Sequence, residues 1–461
     1  MRKARTLGSA ALALIVCAFA LFPAFLAVHA ETTPSRTWTV PAGYDAHDYD
    51  KCAAFFEITD ENGVKNGSRM DSGYDPNDPE TWISIDELNA VFEHVLWTEQ
   101  NGVKYLWRID VAFLDVVGTL ELTDCPYLEY VEATSNRLDA IDTHGCGALR
   151  ELYCDNNGLG SIDVSEHPLL YKLWCDGNDL TELDLSNNPL LYALDCNNNL
   201  LTELDLSNQR MLGELYCANN LFTELDLSAN TNLTWLWCPE NSLQRLDLSA
   251  NTKLYKLFAA NSGITELVLG DNTNLVLIDV MNNAISELDV SANTALNELD
   301  GAGNAFTYLK LNDRLGLDTV RAEGSGSFGY HYSVPYGEGF LSAKADEGSV
   351  FVGWYDQNGA FITASPYITI WNTAYTELTA RFTPSAPVLL GDADSNGSIN
   401  IADAVLALRY SMGLIDSNAI NLINADMNND GSITLSDAVM ILRSSLGLLC
   451  AKACRSYAVG L

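Results

Sequence analysis

Residues 191–207 read Leu191-Tyr192-Ala193-Leu194-Asp195-Cys196-Asn197-Asn198-Asn199-Leu200-Leu201-Thr202-Glu203-Leu204-Asp205-Leu206-Ser207, and this unit returns every 21 residues from about Ile109 to Glu323. Three columns carry the period. The first is Leu152, Leu173, Leu194, Leu215, Leu236, Leu257, Ile278 and Leu299. The second is Cys154, Cys175, Cys196, Cys217 and Cys238. The third is Asn136, Asn157, Asn178, Asn199, Asn220, Asn241, Asn283 and Asn304, with Ser262 as the one break. Stacked leucines build a core that no single unit could bury. A buried asparagine can satisfy backbone groups at the turn after each strand. The sequence holds 11 cysteines. The five periodic ones share one column, so their side chains point the same way rather than at each other, and free thiols acting as small hydrophobes are expected.

The unit matches LxxLxCxxNxL, with the period, the Asn column and the Leu columns agreeing over nine full turns, and so resembles the leucine-rich repeat. The expected architecture is mainly β: a solenoid with two short strands per turn. The second strand is the Leu-Asp-Leu-Ser block at Leu183–Ser186, Leu204–Ser207, Leu225–Ser228, Leu246–Ser249 and Leu288–Ser291. Its leucines alternate inward, leaving stripes of Glu182/Asp184, Glu203/Asp205, Glu224/Asp226, Asp247 and Glu287/Asp289 outside. These read as a solvated edge, because no turn offers a convergent ligand set. In leucine-rich repeats the first strand lines a concave sheet. The position before the cysteine column there reads Glu132, Tyr153, Trp174, Asp195, Tyr216, Trp237, Phe258, Asp279, Asp300, and Trp235 stands two places ahead of Trp237. Exposed aromatics of this density mark a binding surface for protein or glycan, with Tyr153, Trp174, Tyr216, Trp235, Trp237 and Phe258 as its candidates. The competing reading is consensus inherited by duplication, with only local packing value.

A second repeat lies near the end. Asp392-Ala-Asp394-Ser-Asn396-Gly397-Ser398-Ile-Asn400-Ile401-Ala402-Asp403 is echoed 34 residues later by Asp426-Met-Asn428-Asn-Asp430-Gly431-Ser432-Ile-Thr434-Leu435-Ser436-Asp437. Oxygen side chains fall at loop positions 1, 3, 5, 9 and 12, and Gly at 6 makes the sharp turn, which is the pattern a hard cation such as Ca²⁺ requires. The candidate ligands, for two ions, are Asp392, Asp394, Asn396, Ser398, Asn400 and Asp403, then Asp426, Asn428, Asp430, Ser432, Thr434 and Asp437. Each loop runs into an apolar stripe at helical spacing: Val405, Leu408, Met412 and Val439, Leu442, Leu446. Position 12 is Asp rather than the Glu of an ordinary EF-hand.

The pair, about Leu390–Leu449, resembles a dockerin domain, including the Gly391-Asp392 start and Arg409 and Arg443 in equivalent helical places. That resemblance implies calcium-dependent binding to a cohesin module on a scaffoldin, within a cellulosome-type assembly. Loop positions 10 and 11 help set cohesin choice in the family; here they are Ile401-Ala402 and Leu435-Ser436, unlike each other. With Arg409 and Arg443 these are the expected cohesin-contacting residues.

The flanks complete the division. Arg2, Lys3 and Arg5 precede the apolar stretch Ala10–Val28 and a small-residue exit at Val28-His29-Ala30, which reads as a secretory leader over 1–30 with Glu31 as the mature start. Residues 31–108 read as a cap with a helix at Asp48–Ile58, and 109–323 as the solenoid. Residues 324–382 form a small β unit with strands at Ser349–Tyr355, Tyr367–Trp371 and Leu378–Phe382. There Phe351–Gly359 and Leu378–Phe382 resemble the β repeat beside internalin-like leucine-rich repeats. A linker (383–389), the dockerin-like segment (390–449) and a tail with Cys450 and Cys454 follow.

A net charge of −36 argues against nucleic acid or anionic membrane as partner, and no later stretch of 18 apolar residues suggests a span. The chain has no GxSxG, HExxH or phosphate-loop motif, and its histidines are scattered. A secreted, non-catalytic recognition subunit is therefore expected. The alternatives are an adhesin-like surface protein or, further off, a protease inhibitor or a glycan-active enzyme.

Overall fold

The computed structural model describes residues 38–70, 73–85, 91–333, 338–370, 375–385, 389–428 and 430–448. The leader, Cys450 and Cys454 with the tail, and part of the linker lie outside them.

The fold is mainly β, as the repeat implies. One 14-stranded sheet runs the length of the solenoid. Its central strands are three residues each, among them Lys172–Trp174, Ala193–Asp195, Glu214–Tyr216, Trp235–Trp237 and Lys256–Phe258. They pair parallel and in register, so that Leu194 faces Leu173 on one side and Leu215 on the other. Like therefore stacks on like. Leu173, Leu194, Leu215, Leu236 and Leu257 are fully buried, and so is the cysteine column, which Ala259 and Val280 continue in later turns. Replacement by Ala and Val in the same column identifies the cysteine as a small hydrophobe. All eight described cysteines are buried and unbridged. Burial pushes the column's thiols well up from their ordinary range, so they are protonated and unreactive.

The asparagine column bonds neighbouring turns together. Asn199 Nδ2 donates to the carbonyls of Cys175 (2.9 Å), Cys196 (3.2 Å) and Asn197 (2.9 Å), while its Oδ1 accepts from Leu180 N–H (3.0 Å). Asn178, Asn220, Asn241, Asn283 and Asn304 repeat the pattern. At the break, the shorter Ser262 hydroxyl still donates to Cys238 O at 3.1 Å. A second polar column went unread in the sequence. Asn188, Gln209, Asn230, Asn251, Asn272 and Asn293 are buried at the other bend of each turn and donate to carbonyls of the preceding turn. Cys125, Cys146 and His167 occupy the same column nearer the N-terminus.

The second strand of each turn departs from expectation. Paired strands form at Arg245–Asp247 with Glu266–Val268 and at Glu287–Asp289 with Tyr308–Lys310. Leu183–Ser186, Leu204–Ser207 and Leu225–Ser228 carry no strand. Charge also differs between the two groups. Where strands pair, Arg245 bridges Asp247 (2.8 Å) and Glu266 (3.1 Å), and Lys310 meets Asp289 at 3.2 Å. Glu182/Asp184, Glu203/Asp205 and Glu224/Asp226 stack without any interleaved Lys or Arg, and like charges at strand spacing oppose pairing.

The ends are closed by antiparallel structure. The cap helix Ala46–Glu57 is N-capped by Asp45, whose carboxylate accepts from His47 and Asp48 N–H, and it buries Tyr49, Cys52, Phe55 and Phe56. A hairpin absent from the sequence reading, Val95–Gln100 with Val103–Asp110, adds two strands to the main sheet. At the other end Gly326–Ser333 pairs antiparallel with Glu298–Asp300, and Glu377–Pro384 joins Thr319–Glu323. Strands of residues 324–382 thus extend both walls of the solenoid, and one continuous core runs from Tyr49 to Phe382. The second core is separate and lies wholly within 393–441.

Candidate calcium loops and the concave face

Each C-terminal loop is built around its first and last carboxylates. Asp392 accepts from Asn396 N–H (3.0 Å) and Gly397 N–H (2.8 Å), and Asp426 does the same for Asp430 (3.2 Å) and Gly431 (2.9 Å). Gly397 and Gly431 have φ of +87° and +81°, a backbone that only glycine adopts without strain. Asp403 and Asp437 are fully buried. Asp403 reaches back to Asp394 N–H (3.1 Å) and Asn400 N–H (2.8 Å), and Asp437 to Met427 (3.0 Å) and Thr434 (2.9 Å). The two loops are therefore near copies in bonding as well as in sequence.

Carboxylate oxygens of Asp392, Asp394 and Asp403 lie within 4.8 Å of one another. Oxygens bound to one Ca²⁺ at about 2.3–2.6 Å sit no more than about 5 Å apart, so the donor set fits the ion. In the second loop Asn428 replaces the second carboxylate and donates to Asp430 Oδ2 at 2.8 Å. Asn396 donates likewise to Asp394 at 2.7 Å. Asn400 and Thr434, expected as ligands, cap the helices Ile401–Ser411 and Leu435–Ser445 by accepting from Ala402 and Ser436 N–H. Ser398 and Ser432 are exposed at position 7; an EF-hand uses the backbone carbonyl there.

The two helices pack on each other through Ala404, Ala407, Ala438 and Ile441. The apolar stripes read in the sequence face mostly outward. Val405 and Met412 are exposed, as are Val439, Leu442 and Leu446, joined by Ile401 and Leu435 at 57 % and 62 %. Ala402, Ser436, Arg409 and Arg443 are exposed with them. Each helix so carries its own apolar, Arg-bearing outer face. Residues 390–444 match the family model for the dockerin type I domain. The dockerin segment is thus a repeat of one loop–helix unit.

On the 14-stranded sheet, sequence-predicted residues come together in two groups. Tyr216 lies 6.4 Å from Trp235, Trp235 5.8 Å from Phe258, and Phe258 4.6 Å from Trp237, measured between ring centres. Lys256 Nζ sits 4.6 Å over the Trp235 ring. The other group is Tyr153 and Trp174 at 5.0 Å, edge to face. Trp174 is exposed at 38 %, but Tyr153 is 8 % exposed with its hydroxyl donating to Glu151 at 2.5 Å. Tyr153 is therefore part of the packing under Trp174 rather than a free surface ring. Asp195 separates the groups, paired between Trp174 and Tyr216. Burial, with Asp176 and Asp155 nearby, pushes its carboxyl up to about 7, and burial pushes Asp155 to about 6.

A carboxyl with a folded pKa above its ordinary value takes up a proton on folding. Its contribution to stability is full below about pH 4 and is lost as pH rises through about 7. Asp195→Asn keeps the Oδ1 acceptor used by Asn197 N–H (3.1 Å). The variant is expected to melt higher than the parent at pH 8 and equally at pH 4, as read by calorimetry across that range. Equal melting at both ends would show that Asp195 stays ionised in the fold. On the outer wall, Asp184, Asp205 and Asp226 each accept a serine N–H two residues on at 2.9 Å, as turn-forming residues do.

No curated protein matches the chain. Among solved structures it is similar to the functional domain of InlJ from Listeria monocytogenes, whose description includes a cysteine ladder. That likeness has 20 % identity, covers 60 % of this chain and 90 % of the other, and has a TM-score of 0.36. YopM from Yersinia enterocolitica is 30 % identical over 47 % of each chain, with a TM-score of 0.40. A leucine-rich-repeat protein of Leptospira interrogans is 20 % identical over 39 % of this chain and 50 % of its own, with a TM-score of 0.37. The chain thus spans about half of each of the last two. Among the described residues no helix is long and apolar enough to cross a membrane.

Proposed function

We propose that the protein is a secreted, non-catalytic recognition subunit that docks onto a scaffoldin cohesin through its dockerin and binds a protein ligand on the concave face. The carrying observation is the duplicated oxygen-lined loop, each copy continued by a helix with an exposed apolar face. Two ions are held, one by Asp392, Asp394, Asn396 and Asp403 and the other by Asp426, Asn428, Asp430 and Asp437, with the position-7 carbonyls. Calcium supplies positive charge that cancels the clustered carboxylates and so fixes each helix start. The cohesin covers Ile401, Val405 and Arg409, or their counterparts Leu435, Val439 and Arg443. Because Ile401-Ala402 and Leu435-Ser436 differ, the two faces are not equivalent, and one orientation of docking is preferred.

The concave face supports the second half of the reading. Tyr216, Trp235, Trp237 and Phe258 form one contiguous aromatic surface with Lys256 and Glu214 beside it, the composition of a protein hot spot. Trp237→Ala is expected to cost about 2 kcal/mol in ligand affinity, which is the hot-spot threshold. The lost Phe258 contact should cost about 0.5–1.5 kcal/mol of stability beyond the area the ring buries. Secreted proteins of the same source, screened against the full chain and then titrated into the variant, provide the measurement. A variant that melts lower but binds every ligand as the parent does would return these rings to inherited packing.

A further inference from the structure

We propose that His47, Asp48 and Cys125, with Cys146 behind them, form a zinc site that clamps the cap helix to the first turns of the solenoid. The residues come from two elements. His47 and Asp48 lie in the first turn of the cap helix, pinned by the Asp45 cap. Cys125 and Cys146 open the second polar column of the solenoid. One donor atom from each of His47, Asp48 and Cys125 lies within 4.8 Å of the other two.

The chemistry selects the metal class. Imidazole, carboxylate and thiolate together suit Zn²⁺, whereas Ca²⁺ takes oxygen alone. Ligands about 2.0–2.3 Å from a tetrahedral zinc stand roughly 3.3–3.8 Å apart, so closing the site needs shifts of about 1 Å. Cys146 is the next residue of the same column; its Sγ donates to Leu122 O at 2.9 Å, and turning from that bond makes it the fourth donor. Asp48 and Cys125 are buried at 1 % and 0 %, while the His47 side chain is 45 % exposed and provides the way in. Asp48 Oδ2 is engaged by Leu106 N–H at 2.9 Å, a bond that orients the carboxylate. Each thiol that ligates releases one proton to solvent, and the two thiolates and Asp48 outweigh the charge of the ion by one. Further along the column the ladder is Asn188, Gln209 and Asn230, which bond to backbone carbonyls. At Cys125 that amide is replaced by a group that bonds to a metal instead.

The test is a cobalt(II) titration of the reduced full chain with calcium in excess. The expected result is a near-ultraviolet thiolate-to-cobalt band that saturates at one equivalent and is erased by zinc. Oxygen-lined calcium loops cannot give that band. Cys125→Ser should abolish it, His47→Ala should weaken cobalt binding about 10-fold or more, and Asp392→Ala should leave it intact. His47 is largely exposed, so its variant keeps the fold even if the Cys125 variant does not. Absence of the band, or a band unchanged in His47→Ala, overturns the proposal.

Discussion

Removing calcium should unfold the dockerin segment outright, while the solenoid beside it keeps its melting temperature. The core of that segment consists of Ala393, Ala404, Ala407, Ile420, Ala425, Met427, Ala438 and Ile441. Five of these eight are alanines, and so small a domain buries too little apolar surface to stand alone. Its first loop also holds three carboxylates within 4.8 Å of one another. Without a cation their mutual repulsion opposes folding, so ion binding supplies the folding free energy. Helix is concentrated in Ile401–Ser411 and Leu435–Ser445, the cap helix Ala46–Glu57 being the other long one described. Far-ultraviolet circular dichroism of the full chain with chelator should therefore lose much of its helical signal, and calcium should restore it. Asp392→Ala with Asp426→Ala should reproduce the loss and reduce cohesin binding below detection. A spectrum and a cohesin affinity indifferent to chelator would refute the loop assignment.

The parts of this molecule that repeat were legible, because repetition turns a weak local pattern into a strict one. The leucine, cysteine and asparagine columns each predicted a buried stack, and Leu194, Cys196 and Asn199 occupy such stacks. The second amide column has the same period but was hidden by its chemistry. Gln209 interrupts its asparagines, and Cys146 and His167 stand in their place nearer the N-terminus, so residue type marks only part of the column and the common bonding to carbonyls reveals the rest. The outer strand was misread for a different reason. Leu-Asp-Leu-Ser has the right alternation, but alternation does not report the charge on neighbouring turns, which Arg245 and Lys310 offset where the strands there pair. Periodicity likewise located the dockerin helices and not which stripe faces in. Alanines make the inner contact, so Val405 and Val439, the more apolar side chains, are left outside for a partner.

Asn199→Ala should cost about 3 kcal/mol of solenoid stability, more than loss of any surface aromatic. The amide closes four bonds: Nδ2 to Cys175, Cys196 and Asn197 carbonyls, and Oδ1 from Leu180 N–H. Alanine leaves these backbone groups buried. An orphaned buried donor or acceptor costs about 1–3 kcal/mol each. The carbonyls each keep another donor, Asn178 Nδ2 on Cys175 O, Asn220 Nδ2 on Cys196 O and Gly177 N–H on Asn197 O, so the orphaned Leu180 N–H accounts for most of the sum. Leu180 and Cys175 are both fully buried, which keeps water from substituting. Because each turn contacts only its neighbours, the defect should act locally, weakening the two interfaces beside it rather than the whole array. Hydrogen exchange should therefore speed up around residues 175–200 before the cap or the small β unit responds. Asn199→Ser offers the control. Ser262 holds the same position naturally and keeps the bond to Cys238 O at 3.1 Å, so the serine variant should recover the carbonyl part of the loss and melt between alanine and the parent. If alanine and serine melt alike at the parent temperature, the column does not hold the turns together, and the leucine stack alone carries the solenoid.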